Sequence, residues 1–80
     1  MTKKQLLKKL ENVSGETEII VASDEEGNSY LRLREVYKED GLKFFDQDYQ
    51  LNLVNKDDLH EYGISEERFK KLKNCIVLFP

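Results

Sequence analysis

Glu18-Ile19-Ile20-Val21-Ala22 is β-branched and almost continuously apolar. That composition suits a pleated strand with both faces covered. A second run of the same kind, Cys75-Ile76-Val77-Leu78-Phe79, lies near the other end of the sequence. The two runs predict the centre of a small sheet, and the rest of the chain is read as what extends or covers that centre.

Upstream, Thr2-Lys3-Lys4-Gln5 has the form of a capping box, in which the Thr hydroxyl accepts an amide bond and the Gln side chain reaches back. Leu6, Leu7, Leu10 and Val13 recur at helical spacing, with Lys3, Lys4, Lys8 and Lys9 mostly off that stripe, and Ser14-Gly15 supplies a stop. Downstream, Asp24 to Ser29 is a polar loop, and Tyr30 to Tyr37 alternates like a strand, with a break in phase at Glu35-Val36. Lys38-Glu39-Asp40-Gly41 predicts a hairpin turn into Leu42-Lys43-Phe44-Phe45, and Asp46-Gln47-Asp48 a second reversal or a bulge. Tyr49, Leu51 and Leu53 then alternate with Gln50 and Asn52, which predicts a strand whose wet face carries the amides.

Asn55-Lys56-Asp57-Asp58 reads as a helix N-terminus, ended by Gly63. Ser65 is a good N-cap for a second helix, with Ile64 and Phe69 spaced as a hydrophobic staple and Arg68, Lys70, Lys71 and Lys73 toward its C-terminal end. The expected fold is α+β: an N-terminal helix packed on a small, mainly antiparallel sheet of about four to five strands, with two short helices before the last strand. Eighty residues without repeat, linker or low-complexity segment predict one domain, residues 1–80.

Charge is uneven. Residues 1–13 carry four lysines against Glu11, residues 16–61 carry thirteen acids against five bases, and residues 62–80 carry two acids against four bases. The acidic middle argues against nucleic-acid contact there and for a basic partner. No apolar run approaches the ~20 residues of a membrane span, and Leu6-Leu7 is far short of the roughly 7–15-residue core of a signal peptide. The single cysteine, Cys75, lies inside an apolar run and is expected to be structural, which fits a reducing cytoplasm.

Several constellations have residue types that could carry chemistry. Asp24, Glu26, Asn28, Tyr30 and Glu35 fall at calcium-loop spacing, yet Ser29 stands where the sharp turn needs glycine. Asp57, Asp58, His60 and Glu61 give one helical turn of ligands with no second His or Cys pair. Cys75 and His60 are the only thiol and imidazole, and the four glycines are isolated rather than gathered in a phosphate loop. The expectation is no metal, no cofactor and no catalytic group. Residues 56–74 also have helix-turn-helix form with a basic second helix, and Leu59, Gly63-Ile64 and Arg68 loosely resemble SAM-type modules.

The Leu-rich first helix, the stretch from Glu18 through Asp24-Glu25-Glu26-Gly27-Asn28-Ser29-Tyr30, and the closing Cys75-Ile76-Val77-Leu78-Phe79-Pro80 together resemble a group of short, mostly uncharacterised proteins encoded by tailed bacteriophages and prophages. The resemblance covers about half the chain and departs over residues 38–74. It implies a phage origin and a place in the host cytoplasm. Small accessory phage proteins frequently bind host proteins, so the expected function is non-enzymatic binding of a host protein, as an inhibitor, through an acidic surface, by a monomer or homodimer away from membranes. Tyr37, Glu39, Asp40, Asp46, Asp48 and Tyr49 are the candidate contact residues, because tyrosines on a charged surface make interface anchors. The alternative is nucleic-acid binding by the basic helix around residues 66–74.

Overall fold

A computed structural model describes residues 1–80, which form two compact units, residues 1–32 and 33–80. The class is α+β, with an N-terminal helix, small antiparallel ladders and short helices before the last strand. The strands are shared among three ladders rather than gathered in one sheet.

In the first unit, α1 (Lys3–Lys9) starts on the capping box that its sequence predicts. The Gln5 amide donates to Thr2 Oγ1 at 3.1 Å, and the Thr2 amide donates to Gln5 Oε1 at 2.8 Å. The helix stops at Leu10, earlier than Ser14-Gly15, and the chain turns at Asn12 with φ 66°. Asparagine is among the few side chains that tolerate this left-handed geometry. Strands β1 (Ile20–Ala22) and β2 (Tyr30–Arg32) pair antiparallel, with Val21 opposite Leu31.

The expected central strand is therefore not central. β1 has one neighbour and three residues, Ile19 and Ile20 are each 50% exposed, and no side chain of residues 1–32 is buried. A β-branched run records a preference for extended backbone, and without a second neighbour or a covering layer it leaves its side chains in water.

The second unit holds the core. β4 (Lys43–Gln47) and β5 (Gln50–Val54) form a hairpin, and β6 (Lys73–Asn74) adds to the other side of β4. Phe45 and Val54 project from one face of this sheet onto Leu59 and Ile64, all four buried, with Phe69 and Leu72 packed around them. Leu59 belongs to α2 (Leu59–Tyr62), which continues a 3-10 turn (Lys56–Asp58) capped by Asn55 Oδ1 accepting from the Asp57 amide at 2.9 Å. Gly63, at φ 64°, ends α2 in the left-handed cap conformation, and Ser65 Oγ accepts from the Arg68 amide to begin α3 (Glu66–Lys71). Ile64 and Phe69, on either side of that cap at the spacing of the predicted staple, both join the core cluster.

Four strand expectations are corrected. Tyr30 to Tyr37 is two strands, and the second, β3 (Glu35–Tyr37), pairs with β7 (Val77–Phe79). The Lys38–Gly41 turn exists, closed by the Leu42 amide donating to Glu39 O at 3.1 Å, but it joins strands of different ladders and makes no hairpin. The run 75–79 is not a buried central strand: β7 has one neighbour, and Leu78 and Phe79 are exposed. In β5 the phase is opposite to that expected. Asn52 and Val54 face the core side with Phe45, and Leu51 and Leu53 lie on the exposed face. The register that sets Val54 beside Phe45, Leu59 and Ile64 in the core leaves both leucines on the opposite face.

Candidate functional site

Gln47 pairs with Gln50, leaving a two-residue connection, Asp48-Tyr49. Both residues have positive φ, 53° and 63°. This is the type I′ geometry whose twist matches that of the flanking strands, and it is normally met by Asn-Gly or Asp-Gly. Asp48 suits the first position. Tyr49 does not suit the second, since left-handed backbone costs a side chain with a Cβ roughly 1–2 kcal/mol. No packing offsets that cost, because the ring is fully exposed.

The hairpin tip thus presents a phenol held out in solvent next to Asp48, with Asp46 two residues further back on β4, both aspartates exposed. Tyr37, Glu39 and Asp40 lie elsewhere. Tyr37 stacks edge-on against Phe79 at 6.4 Å within the β3–β7 ladder, and its hydroxyl donates to Glu39 Oε2 at 3.0 Å. That carboxylate, by accepting the phenolic proton and by its charge, raises the Tyr37 pKa above its ordinary value. Asp40 sits in the turn that leads into β4. The two groups flank opposite ends of β4, about 13 Å apart by strand rise, so the six residues do not converge on one patch. The tip residues Asp46, Asp48 and Tyr49 are the compact group.

In the Asp24 loop, Asp24 Oδ1 accepts from the amides of Glu26 and Asn28, each at 3.1 Å, and Oδ2 accepts from Asn28 Nδ2 at 2.9 Å. The bonds from Asn28, backbone first and side chain second, hold the Asp24 carboxyl below its usual pKa. The carboxylate is thereby engaged in closing the turn, with Gly27 at φ 72° completing it. No three His, Cys, Asp or Glu side chains gather at metal-binding distance, here or around His60. Cys75 is half-buried, its amide donates to Leu42 O at 3.0 Å, and burial pushes its thiol pKa up.

The basic helix is partly spent on structure. Arg68, itself exposed, lays its guanidinium 5.6 Å from the centre of the Phe45 ring, whereas the exposed Lys70, Lys71 and Lys73 have no such ring contact. One residue that sequence reasoning passed over is Lys43. Its ammonium donates to Phe69 O at 3.0 Å and to Lys70 O at 3.4 Å, and stands 4.7 Å from the centre of the Phe69 ring. It caps the C-terminal carbonyls of α3 from a strand some 26 residues earlier, a separation at which no local pattern signals the contact. The comparisons with known proteins give no match: no family model, no curated protein and no solved structure aligns with this chain.

Proposed function

We propose that the chain is a non-enzymatic accessory protein of phage origin that binds and inhibits a host protein, with the β4–β5 hairpin tip as its contact. The observation that carries this reading is Tyr49, fully exposed and in a backbone conformation that glycine would adopt at lower cost. A strained, solvent-held aromatic adds nothing to the fold and is accounted for by a contact outside it. In this role Tyr49 is the anchor, buried on association, while Asp46 and Asp48 steer a basic partner and set the salt dependence of its arrival.

The test is quantitative capture from host lysate, followed by binding kinetics on the protein recovered. Tyr49→Ala should speed dissociation, and Asp46→Lys with Asp48→Lys should slow association and flatten its salt dependence. The opposite pattern, with hairpin variants binding normally and Lys70→Glu, Lys71→Glu and Lys73→Glu abolishing binding, would replace this reading by nucleic-acid or acidic-partner recognition on α3. The exposed lysines there are what supports that second reading. A nucleic-acid complex would also weaken steeply with salt.

A further inference from the structure

In a two-residue hairpin the residues flanking the turn exchange both main-chain hydrogen bonds, and bonding pairs then alternate along the ladder. Gln50, Asn52 and Val54 therefore point their amides and carbonyls at β4. The other side of β4 obeys the same alternation, since Leu42 O accepts from the Cys75 amide. Leu51 and Leu53 consequently aim their N–H and C=O groups away from β4, at an edge that no strand occupies. Their side chains are also exposed, at 63% and 39%. The strand Gln50-Leu51-Asn52-Leu53-Val54 carries no charge, no proline and no bulge, the devices that ordinarily close such an edge.

We propose that the β5 edge pairs antiparallel with β5 of a second copy of this chain, about a two-fold axis at Asn52. The pattern is self-complementary about that residue. Leu51 of each copy falls opposite Leu53 of the other, so the outward groups of both strands form four hydrogen bonds and the four leucines meet on one face. Asn52 faces Asn52 across the axis as a non-bonded pair. This interface is independent of the hairpin-tip reading, because it uses the backbone and leucines of β5 rather than the Tyr49 ring.

Sedimentation velocity over a concentration series should show the 9.5 kDa chain converting to a species of twice its mass. Leu51→Pro removes an outward N–H without touching the β4 ladder, and Leu53→Lys places a charge on the exposed leucine face. Each should leave a folded monomer at every concentration, judged by an unchanged far-ultraviolet spectrum. Register is read by oxidation in a Cys75→Ala background. Asn52→Cys puts the two Cα atoms about 4.5 Å apart, inside the disulfide range. Gln50→Cys puts them about 14 Å apart by strand rise. The first should cross-link at least about tenfold faster than the second. A wild-type chain monomeric up to about 1 mM, a dimer that survives both Leu51→Pro and Leu53→Lys, or equal cross-linking rates would each overturn the proposal.

Discussion

Replacing Tyr49 by glycine should make the protein more stable, although it deletes the largest side chain of its hairpin turn. The backbone there sits at φ 63°, and the ring is fully exposed, so the substitution relieves left-handed strain and forfeits no buried surface. Strain relief contributes roughly 1–2 kcal/mol. The extra freedom of glycine in the unfolded chain offsets roughly 0.5–1 kcal/mol of that. The net gain is about 0.5–1 kcal/mol, which for a chain of this size raises Tm by about 2–8 °C. Tyr49→Ala separates the two effects, because it removes the ring and keeps the Cβ, and should shift stability by less than about 0.5 kcal/mol. Thermal melts followed by circular dichroism measure both. If Tyr49→Gly melts below the wild type, or Tyr49→Ala falls by more than 1 kcal/mol, as loss of a buried ring would cause, the ring packs on the fold and the reasoning fails. Under the proposed function, both variants lose the partner while only one gains stability.

Gly63→Ala should cost about 1–2 kcal/mol in urea titrations, although nothing lies within 4 Å of the added methyl, because the penalty is the left-handed backbone at φ 64°. Lys43→Met should cost about 1 kcal/mol through loss of the cation at the end of α3, whereas Lys70→Met, on an exposed side chain, should stay within about 0.5 kcal/mol. Asp24 titrates lower when folded than when unfolded, so the turn it closes is stabilised at and above the ordinary carboxylate range and loses that contribution as pH falls through the lowered value. The Asn28 amide resonance should follow this acid transition, and Asp24→Ala should abolish it. Leu59→Ala, in the core of the second unit, should cost about 2–5 kcal/mol in chemical denaturation.

The parts of the fold that were legible in the sequence are those fixed within a few residues. Thr2 and Gln5, Asn55, Ser65 and Gly63 carry their cap chemistry locally, and the Ile64–Phe69 staple follows from spacing. What escaped was set by distant partners. Alternation marks Leu51 and Leu53 as one face of a strand but does not say which face meets the helices. That choice shows only in the tertiary packing, where Val54 of the opposite face joins Phe45, Leu59 and Ile64. The apolar runs at 19–22 and 75–79 show a preference for extended backbone and are silent on how many neighbours each strand acquires. For the site, the acidic tyrosine-bearing stretch was visible as composition, whereas the positive φ that singles out Tyr49 depends on the two-residue length of the turn.

The pairing of β3 with β7 also bears on the order in which the second unit assembles. Phe45, Val54, Leu59 and Ile64 fall within twenty residues of one another, so their cluster closes only short loops. Glu35 and Phe79, by contrast, are partners more than forty residues apart, and the Arg34 amide reaches Phe79 O at 3.0 Å. Closing the longer loop costs more entropy, and its contacts are rewarded only after the intervening chain is compact. During synthesis β3 leaves the ribosome early and stays without its partner until residues 77–79 emerge. Its edge is open through that interval, and loop closure predicts that the ladder it finally joins forms last and frays first.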